Sequence, residues 1–253
     1  MYCYRSLYFD DPPRAGRAMD IFPLDGKDGG VGLFFVHGGG WKAGTRGVYH
    51  SIMREFARNG VECASTEYRL VPGELFAQIG DVREGLRIFL ADRAARSLSQ
   101  RVVLAGCSAG AHLALMATLE PGGRGEFQEN IAGVSVQAPA LSFEPWEDIF
   151  PPIWQAMQEA VGPRYEKAPN LYRLASPMRC LHRDMPPVLI LHAEYEHMFP
   201  LEIALEFQCR AKGLGRNVEI KHYARTEHGF FYSLDRWQQK QAFNDLLTFI
   251  QSV

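Results

Sequence analysis

Gly106-Cys107-Ser108-Ala109-Gly110 sets a hydroxyl between two glycines. The apolar run Val102-Val103-Leu104 precedes it and Ala111-His112-Leu113-Ala114-Leu115-Met116 follows. A serine in a sharp strand-to-helix turn is the arrangement that presents an oxygen nucleophile above a sheet. Flanking glycines remove the side chains that would collide in so tight a turn. The N–H of Ala109, at a helix start, is placed to donate to an anion. A serine hydroxyl is a poor nucleophile alone; it needs a base to take its proton and an acid to orient that base.

Eight histidines compete for the base: His37, His50, His112, His182, His192, His197, His222 and His228. His112 follows the serine on the same helix and is expected to pack. His192 ends an apolar run and His222 lies within one. His228, in Thr226-Glu227-His228-Gly229-Phe230, falls in a loop after a strand and on the same sheet edge as Ser108, so it is the expected base. The apolar run Pro187 to His192 leads into Ala193-Glu194-Tyr195-Glu196, which offers two carboxylates where one is needed. The resulting chain order is Ser, acid, His. The histidines flanking these glutamates match no helical zinc spacing, so no metal is expected. His37-Gly38-Gly39-Gly40-Trp41 follows another apolar run. Consecutive glycines let backbone N–H groups converge on one point. Gly39, Gly40 and Ala109 would form an oxyanion hole, each donor worth roughly 3 kcal/mol in the transition state.

The elements that position these residues can be read from periodicity. Met19 to Phe22, Val31 to Val36, Val61 to Glu67, Ile131 to Gln137, Val188 to His192 and Val218 to Tyr223 read as strands. Tyr49 to Asn59, Phe76 to Leu98, Pro200 to Lys212 and Arg236 to Ile250 read as helices. The stretch Asp25 to Gly30 reads as a turn. Strands alternating with helices imply an α/β fold, a mainly parallel twisted sheet with helices on both faces. Ala140 to Met185 is too long for an ordinary connection. It carries Phe143, Trp146, Phe150, Trp154 and Met157, and a short helix is expected from Ile153 to Val161. It is expected to fold over the site as a small lid.

At 253 residues, one domain spanning 1–253 with a lid at 140–185 is expected. A net charge of −2 gives no electrostatic case for nucleic acid or an anionic membrane. No run reaches the length of a membrane span, and the start carries no apolar signal region. Five scattered cysteines suggest reduced, mostly buried thiols and a cytoplasmic location.

With these motifs in view, the chain resembles the short α/β-hydrolase esterases related to feruloyl and acetylxylan esterases, themselves similar to the hormone-sensitive lipase group. The resemblance runs from about Asp20 to the C-terminus. It rests on His37 to Trp41, Tyr68-Arg69-Leu70-Val71-Pro72 with Phe76 and Asp81, Gly106 to Gly110, Ser176-Pro177, Pro186-Pro187 and His228-Gly229-Phe230. It implies a serine carboxylesterase acting on a small-molecule ester through an acyl-enzyme, without metal or cofactor. Ser108 would be nucleophile and His228 base. The acid, four residues after His192 in that family, would be Glu196, whereas Glu194 would point elsewhere. Trp41, Trp154 and Phe230 would line the substrate pocket. The chain departs from the pattern at Cys107 and Glu196, where Asp is common, and at Ala111, where Gly is frequent. Kynurenine formamidases are similar too, sharing H-G-G-x-W, which makes cleavage of an N-formyl amide the alternative activity. A binding protein that has lost activity is the alternative of another class.

Overall fold

The computed structural model describes residues 3–24 and 30–253; of the expected turn at Asp25 to Gly30, residues 25–29 therefore lie outside the described residues. In chain order the elements are β1 (Arg5–Tyr8), β2 (Ala18–Phe22), β3 (Gly32–Val36), α1 (His50–Arg58), β4 (Cys63–Thr66), α2 (Leu75–Ala95), β5 (Val102–Cys107), α3 (Ala109–Leu119), α4 (Pro121–Phe127), β6 (Ile131–Gln137), α5 (Pro151–Val161), α6 (Pro169–Leu174), β7 (Val188–Tyr195), α7 (Leu201–Gly213), β8 (Val218–Glu227) and α8 (Trp237–Ser252). Among the described residues eight strands form one sheet in the order β1-β2-β4-β3-β5-β6-β7-β8. β1–β2 and β2–β4 pair antiparallel and every other pair is parallel.

The apolar runs are covered on both faces, as continuous hydrophobic strands require. Along β3, Phe34 and Val36 join one core with α2, α3, α5 and α7, while Leu33 and Phe35 join a second with α1 and α8. β5 and β7 alternate in the same way: Leu104 and Ile190 face the first core, Val103 and Leu191 the second. This period of two is what a strand dictates. All eleven residues of α3 are buried, which is why its sequence shows no polar stripe.

Two strands run further than the hydrophobic pattern indicates. β7 continues through Glu194 to Tyr195 and β8 continues to Glu227, their register shifting between Ala193 and Tyr195. Glu194, Tyr195, Ala224, Arg225 and Glu227 are exposed and the buried Thr226 is polar, so no apolar alternation marked these ends. The cysteines are all free, but only Cys63 and Cys107 are buried; Cys3 and Cys209 are exposed, contrary to the expectation of mostly buried thiols. No helix among the described residues is long and apolar enough to cross a membrane.

Candidate active site

β5, β3, β7 and β8 deliver the candidate residues to one sheet edge. Ser108 follows β5 directly, with φ 55° and ψ −121°. A non-glycine residue in this region costs roughly 1–3 kcal/mol and persists only where its surroundings enforce it. Here the enforcement is visible. Ser108 N–H donates to the Gln137 carbonyl (2.9 Å), and its own carbonyl accepts from His112 N–H (3.0 Å). A Cβ on Gly110 would stand 2.1 Å from the Val36 carbonyl oxygen, and one on Gly106 would stand 2.6 Å from the Gly110 carbonyl carbon. Close packing of turn against β3 thus requires glycine at both places. Ser108 is 8% exposed, and its Oγ makes no hydrogen bond among the described residues.

The glycine loop after β3 turns through Gly39 (φ 128°) and Gly40 (φ 59°), both in the left-handed region that favours glycine. The Gly39 carbonyl accepts from Ala43 N–H (3.0 Å), closing the loop on itself. Among the described residues no protein group accepts from the N–H of Gly39, Gly40 or Ala109. His37 holds the loop from beneath. Fully buried, it places Nδ1 2.9 Å from the Gly38 carbonyl oxygen and Nε2 3.0 Å from Glu67 Oε2. Burial alone would raise the Glu67 carboxyl, but His37, Arg46 N–H and Thr45 hold it below the usual range. Tyr68 stacks on the His37 ring and donates to its carbonyl (3.0 Å), while Arg69 grips Asp81. The Tyr68-Arg69…Asp81 motif is therefore a clamp on the glycine loop.

Glu196 and His228 meet as the residue types suggest. His228 Nδ1 lies 2.8 Å from Glu196 Oε2. Glu196 Oε1 accepts from Met198 N–H (2.9 Å) and Phe199 N–H (3.3 Å), so both oxygens are used. Burial would raise this carboxyl, yet the His228 bond and charge and the two N–H groups hold it below the usual range. Glu194 points elsewhere, accepting from Arg225 N–H. His112 is packed, as expected: it is fully buried, accepts from Trp41 Nε1–H (3.2 Å) at Nδ1 and donates from Nε2 to the Ala175 carbonyl (2.8 Å). Burial pushes its pKa down to about 4.

The expected pocket residues fare differently. Trp41 (1% exposed) is packed edge-on against Phe143 and His112, and Phe230 (2%) lies tilted against Tyr223. Their rings are core, not lining, because each is already covered by neighbouring aromatics. Trp154 is half-buried between Tyr165 and Tyr172, both within the excursion. Phe150 instead sets its ring edge-on to His197, beside Glu196, and Phe199 lies 6.0 Å from the His228 ring. These two had no signal beyond being aromatic near the motifs. Among the described residues no three His, Cys, Asp or Glu side chains are arranged to hold a metal ion.

The family model BD-FAE matches residues 19–210, three quarters of the chain. The chain belongs to the BD-FAE family. Among relatives of this BD-FAE chain, Esterase LipC of Mycobacterium tuberculosis is 29% identical over 249 residues, covering 89% of this chain and 59% of LipC. The isoprenylcysteine alpha-carbonyl methylesterase ICME of Arabidopsis thaliana is 22% identical, covering 98% of this chain and 62% of ICME. The chain thus spans about three fifths of the length of these two relatives. Thermogutta terrifontis esterase 2, solved as its sarin phosphonyl adduct, superposes with TM-score 0.78 at 20% identity over 93% of this chain and 89% of that one. The BD-FAE chain therefore has the α/β-hydrolase fold.

Proposed function

We propose that the protein is a serine carboxylic ester hydrolase. The observation that carries this reading is the 2.8 Å Glu196–His228 contact, on the same sheet edge as a serine held at φ 55°. Ser108 Oγ attacks the acyl carbon while His228 Nε2 takes its proton. The N–H groups of Gly39, Gly40 and Ala109 bind the developing oxyanion, and Glu196 holds the imidazole tautomer and steadies the imidazolium. His228 then passes the proton to the leaving alcohol, and water discharges the acyl-enzyme by the reverse route. The relatives' names support an ester as the bond cut, and esterase 2 is itself phosphonylated by sarin. We favour an ester over the N-formyl amide on that ground.

A fluorophosphonate probe should label wild-type protein at Ser108 and leave the Ser108→Ala variant unlabelled, with unchanged circular dichroism. Turnover of a panel of acyl esters and N-formylkynurenine should favour the esters. Labelling that persists in Ser108→Ala, or turnover of N-formylkynurenine alone, would remove this reading.

A further inference from the structure

We infer that Gln137 is a positioning residue that ties the nucleophile turn to the histidine loop, an inference that rests on the hydrolase reading above. Gln137 ends β6, the strand between β5 and β7, paired with Cys107 on one side and Leu191 on the other. It therefore stands between the segment that carries Ser108 and the segment that carries Glu196. Its backbone carbonyl accepts from Ser108 N–H (2.9 Å). Its side-chain amide, on a residue only 3% exposed, faces three consecutive N–H groups of the loop after His228. With the amide oxygen toward that loop, it accepts from Phe230 N–H (2.7 Å) and Gly229 N–H (3.3 Å). The opposite turn of the amide gives the oxygen only Phe231 N–H, at 3.3 Å. The first orientation satisfies more buried donors, and buried donors left unpaired are costly.

One residue thus holds the nucleophile with its main chain and the base's loop with its side chain. The choice of glutamine follows from chemistry. The site needs a long acceptor, and a neutral one keeps a third charge away from the Glu196–His228 pair. Gln137 also borders a small cavity of about 10 Å³ shared with Tyr49, Cys107 and Phe231. Gln239 Nε2 donates to the Phe230 carbonyl (2.8 Å), so the N–H and the carbonyl of Phe230 are each held by a glutamine side chain. Without the Gln137 acceptor the loop relaxes, and a shift of about 1 Å between base and nucleophile can cost about a hundredfold in rate.

The test compares wild type with Gln137→Met, which keeps length and removes the acceptor, and Gln137→Glu, which keeps it. Amide hydrogen exchange at Gly229 and Phe230 should be slow in wild type and in Gln137→Glu, and faster by about tenfold or more in Gln137→Met. On a short-chain p-nitrophenyl ester, Gln137→Met should lower kcat by about 10- to 100-fold with KM changed less than about twofold. Gln137→Glu should recover most of kcat at alkaline pH. Its acid limb should move to higher pH, because a carboxylate there favours the imidazolium. Unchanged exchange in Gln137→Met would overturn the bridge itself. Wild-type kcat in Gln137→Met, or a loss of kcat that tracks lower Tm and is not rescued by Glu, would overturn the positioning role. Fluorophosphonate labelling of wild type separates these failures from that of the hydrolase reading, since the exchange measurement reads the bridge without any activity.

Discussion

Two glutamates lie two residues apart, and only one meets the imidazole. Glu194 belongs to the extended end of β7, and its carboxylate is spent on Arg225 N–H where β8 kinks through a positive φ. Glu196 comes after the strand, where the chain has turned, and its carboxylate is fully buried with three donors. Glutamate's extra methylene is accommodated because the Met198 and Phe199 N–H groups draw the carboxylate back into its own loop. Glu196→Gln should lower kcat by about 10⁴-fold, since an amide N–H facing Nδ1 selects the wrong imidazole tautomer. Glu194→Gln should leave kcat within about twofold, its bond to Arg225 surviving through the amide oxygen. Steady-state kinetics on one ester checks both. Equal losses in the two variants would return the acid assignment to an open choice.

The excursion between β6 and β7 divides its aromatics between two tasks. Trp154 packs against Tyr165 and Tyr172, while the Ser176 hydroxyl accepts from Phe143 N–H (2.8 Å) and donates to the Tyr172 carbonyl (2.7 Å), so this part holds itself together. Phe150 at the start of α5 reaches His197 instead. Trp154→Ala should therefore lower Tm and depress kcat/KM evenly across substrates, and Phe150→Ala should change the ranking of acyl chain lengths with little effect on Tm. Measuring kcat/KM on a graded acyl series separates the two; a ranking change from Trp154→Ala alone would reverse the assignment. The helix at 151–161 was legible because Ile153, Met157 and Val161 recur at helical spacing. Which aromatic faces the site was not, because that depends on how the excursion folds back on β7. Likewise the strands, Ser108 and His228 could be read from apolar runs and spacing, whereas the choice of Glu196 over Glu194 came only from the family resemblance. The covering of Trp41 could not, since its partners His112 and Phe143 come from segments about 70 and 100 residues away.

His112 joins three parts of the molecule: α3, the glycine loop through Trp41, and the excursion through Ala175. Both ring nitrogens are committed, one as acceptor and one as donor, so the folded protein favours the neutral ring. Its folded pKa of about 4 lies below the 6.5 of an unfolded histidine. Between those values the unfolded chain binds more protons, so stability is full above pH 6.5 and declines as pH falls toward 4. The whole window is worth on the order of 3 kcal/mol. The lowered carboxyls of Asp20, Glu67, Asp92 and Glu196 act in the same direction but later. Their stabilisation is present above the unfolded values of 3.8 and 4.5 and is lost as pH falls through the lower folded ones. His192, lowered by burial and by His222, adds to the upper window and is unaffected by a change at position 112. His112→Gln isolates the term, because glutamine can donate to the Ala175 carbonyl and accept from Trp41 without titrating. At about pH 5 wild type has lost on the order of 2 kcal/mol through His112, or about 4–8 °C in Tm for a chain of this size. Thermal unfolding at about pH 7 and about pH 5 should therefore show a Tm drop smaller by that amount in His112→Gln than in wild type. If both proteins lose the same Tm between these values, the ring accepts a proton in the folded state without penalty, and its neutrality is not what holds the three segments together.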